Sequence, residues 1–317
     1  MLTIYSNDAA GKLQTTAEMA HNTLIYLVAP TNTEIARTAQ TLAIPEHLLR
    51  DPLDAGERPR IEKDGEGMLM VLHVPVAAAS ENRLYEEVPY RTMPIGIIHA
   101  KDHLVIVAKE EVPLLADMIA GHYGSYGTNM KTRITLLLFA AVAKAYTDFV
   151  KRISGQVASL QQQLKKAHRN QELFGLIHLN KSLVYFATSL RAMCHMFKRI
   201  AKGHDIKLYE EDERMLQDAL VDLEQAAEVT EMRSNSLSSL MDAYAAVVHN
   251  NLNSVLKILT TLTIILVIPT MMGSIFSMNV ALPYENEWMT TVVVSGLIVA
   301  MCSGLIYVFY KTRFLRF

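Results

Sequence analysis

The chain has 317 residues, 50 per cent of them hydrophobic, and its 30 Lys and Arg nearly balance 32 Asp and Glu, giving a formal net charge of −2. That balance provides no general attraction for nucleic acid, and no Gly-x-x-x-x-Gly-Lys-Ser/Thr loop is present to cradle a nucleotide phosphate. The two cysteines, Cys194 and Cys302, form neither a metal-ligand spacing nor a disulfide framework, as expected in a reducing interior. The histidines are scattered without a His-Glu-x-x-His pattern, and Cys194 and His195, adjacent in a helix, face two ways. No catalytic constellation emerges, so the sequence reads as a non-enzyme.

Residues Met1 to Asp8 lack the basic start and apolar core of a secretory signal. Thr23 to Val28 reads as a strand, ended by Ala29-Pro30. Thr31-Asn32-Thr33-Glu34 then offers a polar cap with an acid in the first turn, leading into a helix over Ile35 to Leu42, with a second short helix over Pro45 to Leu49. In the segment Leu53 to Glu62, Gly56 and Pro59 mark a turn before a strand. Further strands are expected at Met68 to Val74, Ile95 to Ala100 and His103 to Val107, the last two flanking the tight turn Lys101-Asp102. Residues 1–130 thus read as an α/β layer, a mixed sheet covered by helices.

From Lys131 the pattern is helical throughout. Ile134 to His168 and Gln171 to Ile200 read as antiparallel partners, and after a linker containing Gly203 no Pro or Gly appears until Pro269. Leu208 to Phe276 is long enough for one helix of about 100 Å, with a kink expected at Pro269. Residues 131–254 form the helical part and stalk, and residues 255–317 a pair of membrane helices.

Two apolar runs define that pair. One extends from Val255 to Phe276, interrupted by Lys257, and an uncharged one from Thr290 to Tyr310 has about the length needed to cross roughly 30 Å of hydrocarbon. The connection between them carries Glu285 and Glu287 but no Lys or Arg, whereas Lys311, Arg313 and Arg316 follow the second run. Short basic flanks stay inside, so the sequence predicts a multi-pass protein of the cell (inner) membrane with both termini cytoplasmic. Along the first run Asn253, Leu256, Thr260, Thr263, Val267, Thr270, Ser274 and Ser277 form a mostly small, polar stripe. Such a stripe serves either close helix packing or the wall of a water-filled pore, and periodicity does not choose.

At this point the chain resembles the CorA superfamily of divalent-cation channels, marked by Gly-Met-Asn at the outer end of the first of two C-terminal membrane helices. The triplet here is Ser277-Met278-Asn279, which keeps Met and Asn and has Ser for Gly. Far upstream, Leu53-Asp54-Ala55-Gly56-Glu57-Arg58-Pro59-Arg60-Ile61-Glu62 is similar to the family's cytoplasmic-domain motif. The resemblance runs from about Asn22 to Phe317. It implies a homopentamer in the lipid bilayer, with the first span of each subunit lining a central pore and the second outside it.

On that resemblance, Ser277, Met278 and Asn279 form the selectivity filter, and a ring of Asn279 amides holds Mg²⁺ through its water, since this ion dehydrates reluctantly. Glu285 and Glu287 either concentrate cations outside the mouth or form an ordinary solvated loop. Ser277 implies a reshaped filter, with altered selectivity among Mg²⁺, Co²⁺, Ni²⁺ and Zn²⁺ or weak conduction. Leu256, Leu259 and Val267 are either a dewetting gate or a packing surface. Asp218 and Asp222, four apart on the stalk helix, fit either a regulatory Mg²⁺ site or a solvated face. Lys257, Lys311, Arg313 and Arg316 suit an inner basic collar, positive-inside anchors, or both. The expected function is Mg²⁺ uptake driven by membrane potential; the alternatives are transport of Zn²⁺, Co²⁺ or Ni²⁺, including by proton coupling, and a non-conducting membrane-anchored sensor or interaction protein.

Overall fold

The computed structural model describes residues 1–7, 13–78, 87–123, 126–167, 170–203, 206, 208–278 and 288–311. Two compact units divide the chain, Met1–Ser239 and Leu240–Phe317.

The first unit is built on strands β1 (Leu2–Asn7), β2 (Leu13–Thr16), β3 (Leu24–Val28), β4 (Arg60–Asp64), β5 (Gly67–Ala77), β6 (Tyr90–Ala100) and β7 (His103–Ala108). They form a sheet in the order β2-β1-β3-β7-β6-β5-β4, in which only β3 and β7 run parallel. The central strands are buried on both faces, which is why they read as nearly continuous apolar runs. On one face Ile25, Leu27, Leu69, Val71, Ile98, Val105 and Val107 share a core with Ile35, Leu42, Leu48 and Leu49. Those last four come from α1 (Asn32–Leu42) and α2 (His47–Arg50). Thr31 and Glu34 close the reciprocal capping box that starts α1.

The other face is covered by α4 (Lys131–Ala167) and α5 (Asn170–Ala201), which follow the short α3 (Pro113–Ile119). Phe139 of α4 stacks on Phe197 of α5 at 4.0 Å, and Tyr146 meets Phe186 edge to face. Beneath them His73 is buried, its Nδ1 2.7 Å from Ser189 Oγ and its Nε2 2.7 Å from the carbonyl of Glu57. The carbonyl accepts only, so Nε2 carries the proton and Nδ1 accepts from the serine hydroxyl.

That bond ties the segment Leu53 to Glu62 to the core. Arg60 pairs with Asp51, Glu57 and Glu62, and Asp54 accepts the amide of Gly56. Pro52, at the start of this loop, lies so close to β6 that a Cβ on Gly96 would sit 2.3 Å from its Cγ. The upstream motif is therefore a structural buckle between strand edge, loop and helices.

Two strands extend past the prolines that bound the sequence expectation. Pro75 continues β5 and Pro94 lies inside β6. A proline removes a ladder donor. β4 reaches only as far as Val71 on β5, and β7 begins pairing with β6 at Ile95, so at both prolines the strand has a neighbour on one side only.

Helix α6 (Glu210–Phe276) is continuous over 67 residues with Pro269 inside it, and α7 (Trp288–Lys311) follows.

Candidate functional site

In the first unit α6 is an ordinary amphipathic helix. Leu216, Ala219, Leu220, Leu223 and Ala226 are buried. Polar contacts hold it to α5: Asn180 bonds Ser238 and Ser234, Arg191 pairs with Glu231 at 3.1 Å, and Lys198 with Glu224 at 2.6 Å. Asp218 and Asp222 lie on its exposed face. Asp222 borders a cavity of about 550 Å³ together with Lys144, Asp148, Lys151 and Arg233, whereas Asp218 does not line it. Among the described residues no three His, Cys, Asp or Glu side chains converge as metal ligands.

In the second unit the character of the helix inverts. Its C-terminal part and α7 are each long and apolar enough to cross a membrane, and almost none of either span is buried. The few covered positions form two seams. On α6 these are Ser254, Thr261, Ile265, Ile268 and Met272; on α7 they are Val294, Ile298, Cys302, Leu305 and Phe309. Both recur at threes and fours, the spacing of one helix face. Cys302 Sγ lies 3.9 Å from the carbonyl oxygen of Ile265, so the seams face each other.

This places the small and polar stripe. Asn253, Leu256, Thr260, Thr263, Val267, Thr270 and Ser274 are all exposed. At about 100° per residue, Thr263 and Val267 project roughly 160° away from Ile265. The stripe therefore lies on the side of α6 opposite α7. Leu259, 57% exposed, flanks it. Lys257 and Lys311 lie at the end of the helix pair remote from the connection; Arg313, Arg316, Glu285, Glu287 and Asn279 fall outside the described residues.

Two hydroxyls of this stripe, those of Thr263 and Thr270, share an orientation. Thr263 Oγ1 is 2.8 Å from the carbonyl of Leu259, and Thr270 Oγ1 is 2.7 Å from that of Leu266 and 3.0 Å from that of Val267. Carbonyls only accept, so each hydroxyl spends its proton on its own helix and leaves oxygen lone pairs outward. A face of oxygen acceptors suits hydrogen bonds from waters around a cation. Threonine inside a helix is the sequence signal for such a back-bond, whereas the seam on α7 has no signal in its largely apolar sequence.

Ser277 ends α6. Its amide bonds the carbonyl of Gly273 at 3.0 Å and its hydroxyl that of Ser274 at 2.9 Å. It does not adopt a left-handed φ. Serine fits this position without strain and satisfies one of the carbonyls that a helix end leaves open.

Comparison with known proteins converges on one family. The family described as CorA-like Mg2+ transporter protein matches residues 22–311. The cobalt/magnesium transport protein CorA of Methanocaldococcus jannaschii is 22% identical over 293 residues, covering 89% of this chain and 88% of the relative. The protein of the same description from Thermotoga maritima is 19% identical over 283 residues, covering 88% and 79%. Among solved structures, the complete CorA magnesium transporter from M. jannaschii superposes with a TM-score of 0.83 at 19% identity, covering 98% of both chains.

Proposed function

Because the chain belongs to the CorA-like Mg²⁺ transporter family, whose members are ion transporters and not enzymes, we propose that it carries Mg²⁺ inward through a central pore made by five copies. The observation that carries this reading is the placement of the stripe opposite α7. A face with outward oxygen acceptors and no cover from the described residues is what a helix lining a shared wet axis requires, while α7 stands outside.

In this arrangement Ser277, Met278 and Asn279 form the mouth, with the amide of Asn279 accepting hydrogen bonds from the waters of the ion. Glu285 and Glu287 gather cations before it. Leu256, Leu259 and Val267 form dry rings that close the path by excluding water. Lys257, Lys311, Arg313 and Arg316 mark the cytoplasmic end, and Asp218 and Asp222 sense internal Mg²⁺ on the stalk. A divalent ion entering at about 100 mV gains about 4.6 kcal/mol, twice the roughly 2.3 for one charge, so potential alone drives uptake. The relatives named for both cobalt and magnesium support Co²⁺ as a second cargo.

Ser277 in place of Gly favours two alternatives, a relative tuned to Zn²⁺, Co²⁺ or Ni²⁺ and one unable to conduct. Flux of each divalent ion into vesicles containing the purified protein tests all of these. Mg²⁺ flux abolished by Asn279→Ala supports the proposal. Transition-metal flux alone supports the first alternative, and no flux before or after Ser277→Gly supports a non-conducting sensor.

A further inference from the structure

Pro269 lies within α6, close to its end. Proline has no N–H, so the carbonyl four residues back, that of Ile265, loses the bond that closes every ordinary turn. In water the loss is mild, because solvent takes the carbonyl. In hydrocarbon it must be served from within the protein, by a side chain, a held water or a local adjustment of the helix.

Side-chain donors stand at this break. Thr270 turns its hydroxyl back onto Leu266 and Val267. A donor to the Ile265 carbonyl comes from the other helix, the thiol of Cys302 at 3.9 Å. A thiol is a weak donor, and the larger sulfur atom lengthens the contact relative to a hydroxyl. Cys302 is also the middle member of the α7 seam, half-covered where Ile265 is half-covered. Two features that composition leaves unrelated, a proline in one span and a cysteine in the next, meet at one atom.

We infer that Cys302 is a positioning residue for the pore helix: its S–H occupies the carbonyl that Pro269 leaves open and fixes α7 against the back of α6 at the level of the break. The bond requires only that both helices share a bilayer. Its consequence for transport, holding the stripe at a set rotation about the axis, rests on the pore reading proposed above.

The test uses the full-length protein in lipid or detergent with Cys302→Ala, Cys302→Ser, Pro269→Ala and the Pro269→Ala/Cys302→Ala double variant. The S–H stretching band of Cys302, obtained by subtracting the Cys302→Ala infrared spectrum, is expected below the frequency of a free thiol. It returns toward that frequency in Pro269→Ala, where a backbone N–H again serves Ile265. Cys302→Ala lowers the thermal midpoint by about 2 °C in the natural background and by less than half as much beside Pro269→Ala, while Cys302→Ser retains it. A free-thiol band in the natural protein, or an equal effect of Cys302→Ala in both backgrounds, overturns the inference. Both readouts survive an absence of flux, so failure of the pore reading leaves this one testable.

Discussion

The two ends of α6 set one helix in two solvents. Its first thirty or so residues carry apolar side chains on one face, with Leu216 and Leu223 buried and Asp218, Asp222, Glu228 and Glu231 exposed. From Val255 on, apolar residues occupy every face, and Val255, Leu259 and Leu266 are 59%, 57% and 60% exposed. An apolar stripe means a helix stabilised by its own domain, and apolarity all round means one stabilised by lipid or by other copies. The same backbone geometry thus packs into its own domain at one end and, on the reading proposed above, presents a functional surface at the other.

Equivalent truncations at the two ends give the largest test. Leu223→Ala is expected to destabilise the first unit by about 2–5 kcal/mol, read as a lowered unfolding midpoint. Leu259→Ala is expected to change unfolding by less than about 0.5 kcal/mol while raising ion leak in vesicles. Equal stability losses would break the contrast.

Acid comes next in size and acts through two buried histidines of the first unit. Burial pushes the imidazoles of His73 and His99 from 6.5 down to about 4, so both are neutral when folded. The unfolded chain binds their protons at higher pH, so their contribution is complete above about pH 6.5 and is lost as pH falls toward 4. Denaturant titrations across that window are expected to show this slope, reduced in His73→Gln. A smaller effect belongs to the cap of α1, where Thr31→Ala is expected to cost about 1 kcal/mol, read the same way. The smallest lies at the membrane end: Ser277→Ala removes one side-chain bond and is expected to speed hydrogen exchange at Met278 by less than about tenfold.

Most of this organisation was legible in the sequence. The capped start of α1, the hairpin turn at Lys101-Asp102, the mixed sheet and the long α6 follow from local chemistry and periodicity. What escaped depended on neighbours. β1 and β2 are short strands at one side of the sheet; β2 is largely polar, and the apolar alternation of β1 is confined to Leu2 and Ile4. β5 and β6 run through Pro75 and Pro94 because adjacent strands stop short, a fact of register that no local window contains. The stripe on α6 was visible, but its relation to α7 was not, since two helices of similar composition do not announce which faces meet.

The hydroxyls of Thr263, Thr270 and Ser277 have each already committed their hydrogen to a carbonyl of α6. A relay of protons by hopping needs groups able to hand one on as they receive the next. These three offer no such hand-off without breaking a bond to the helix. On the pore reading proposed above, a proton following the ion would gain no hand-off from these three groups and would depend on water, which the proposed dry rings of Leu256, Leu259 and Val267 would interrupt.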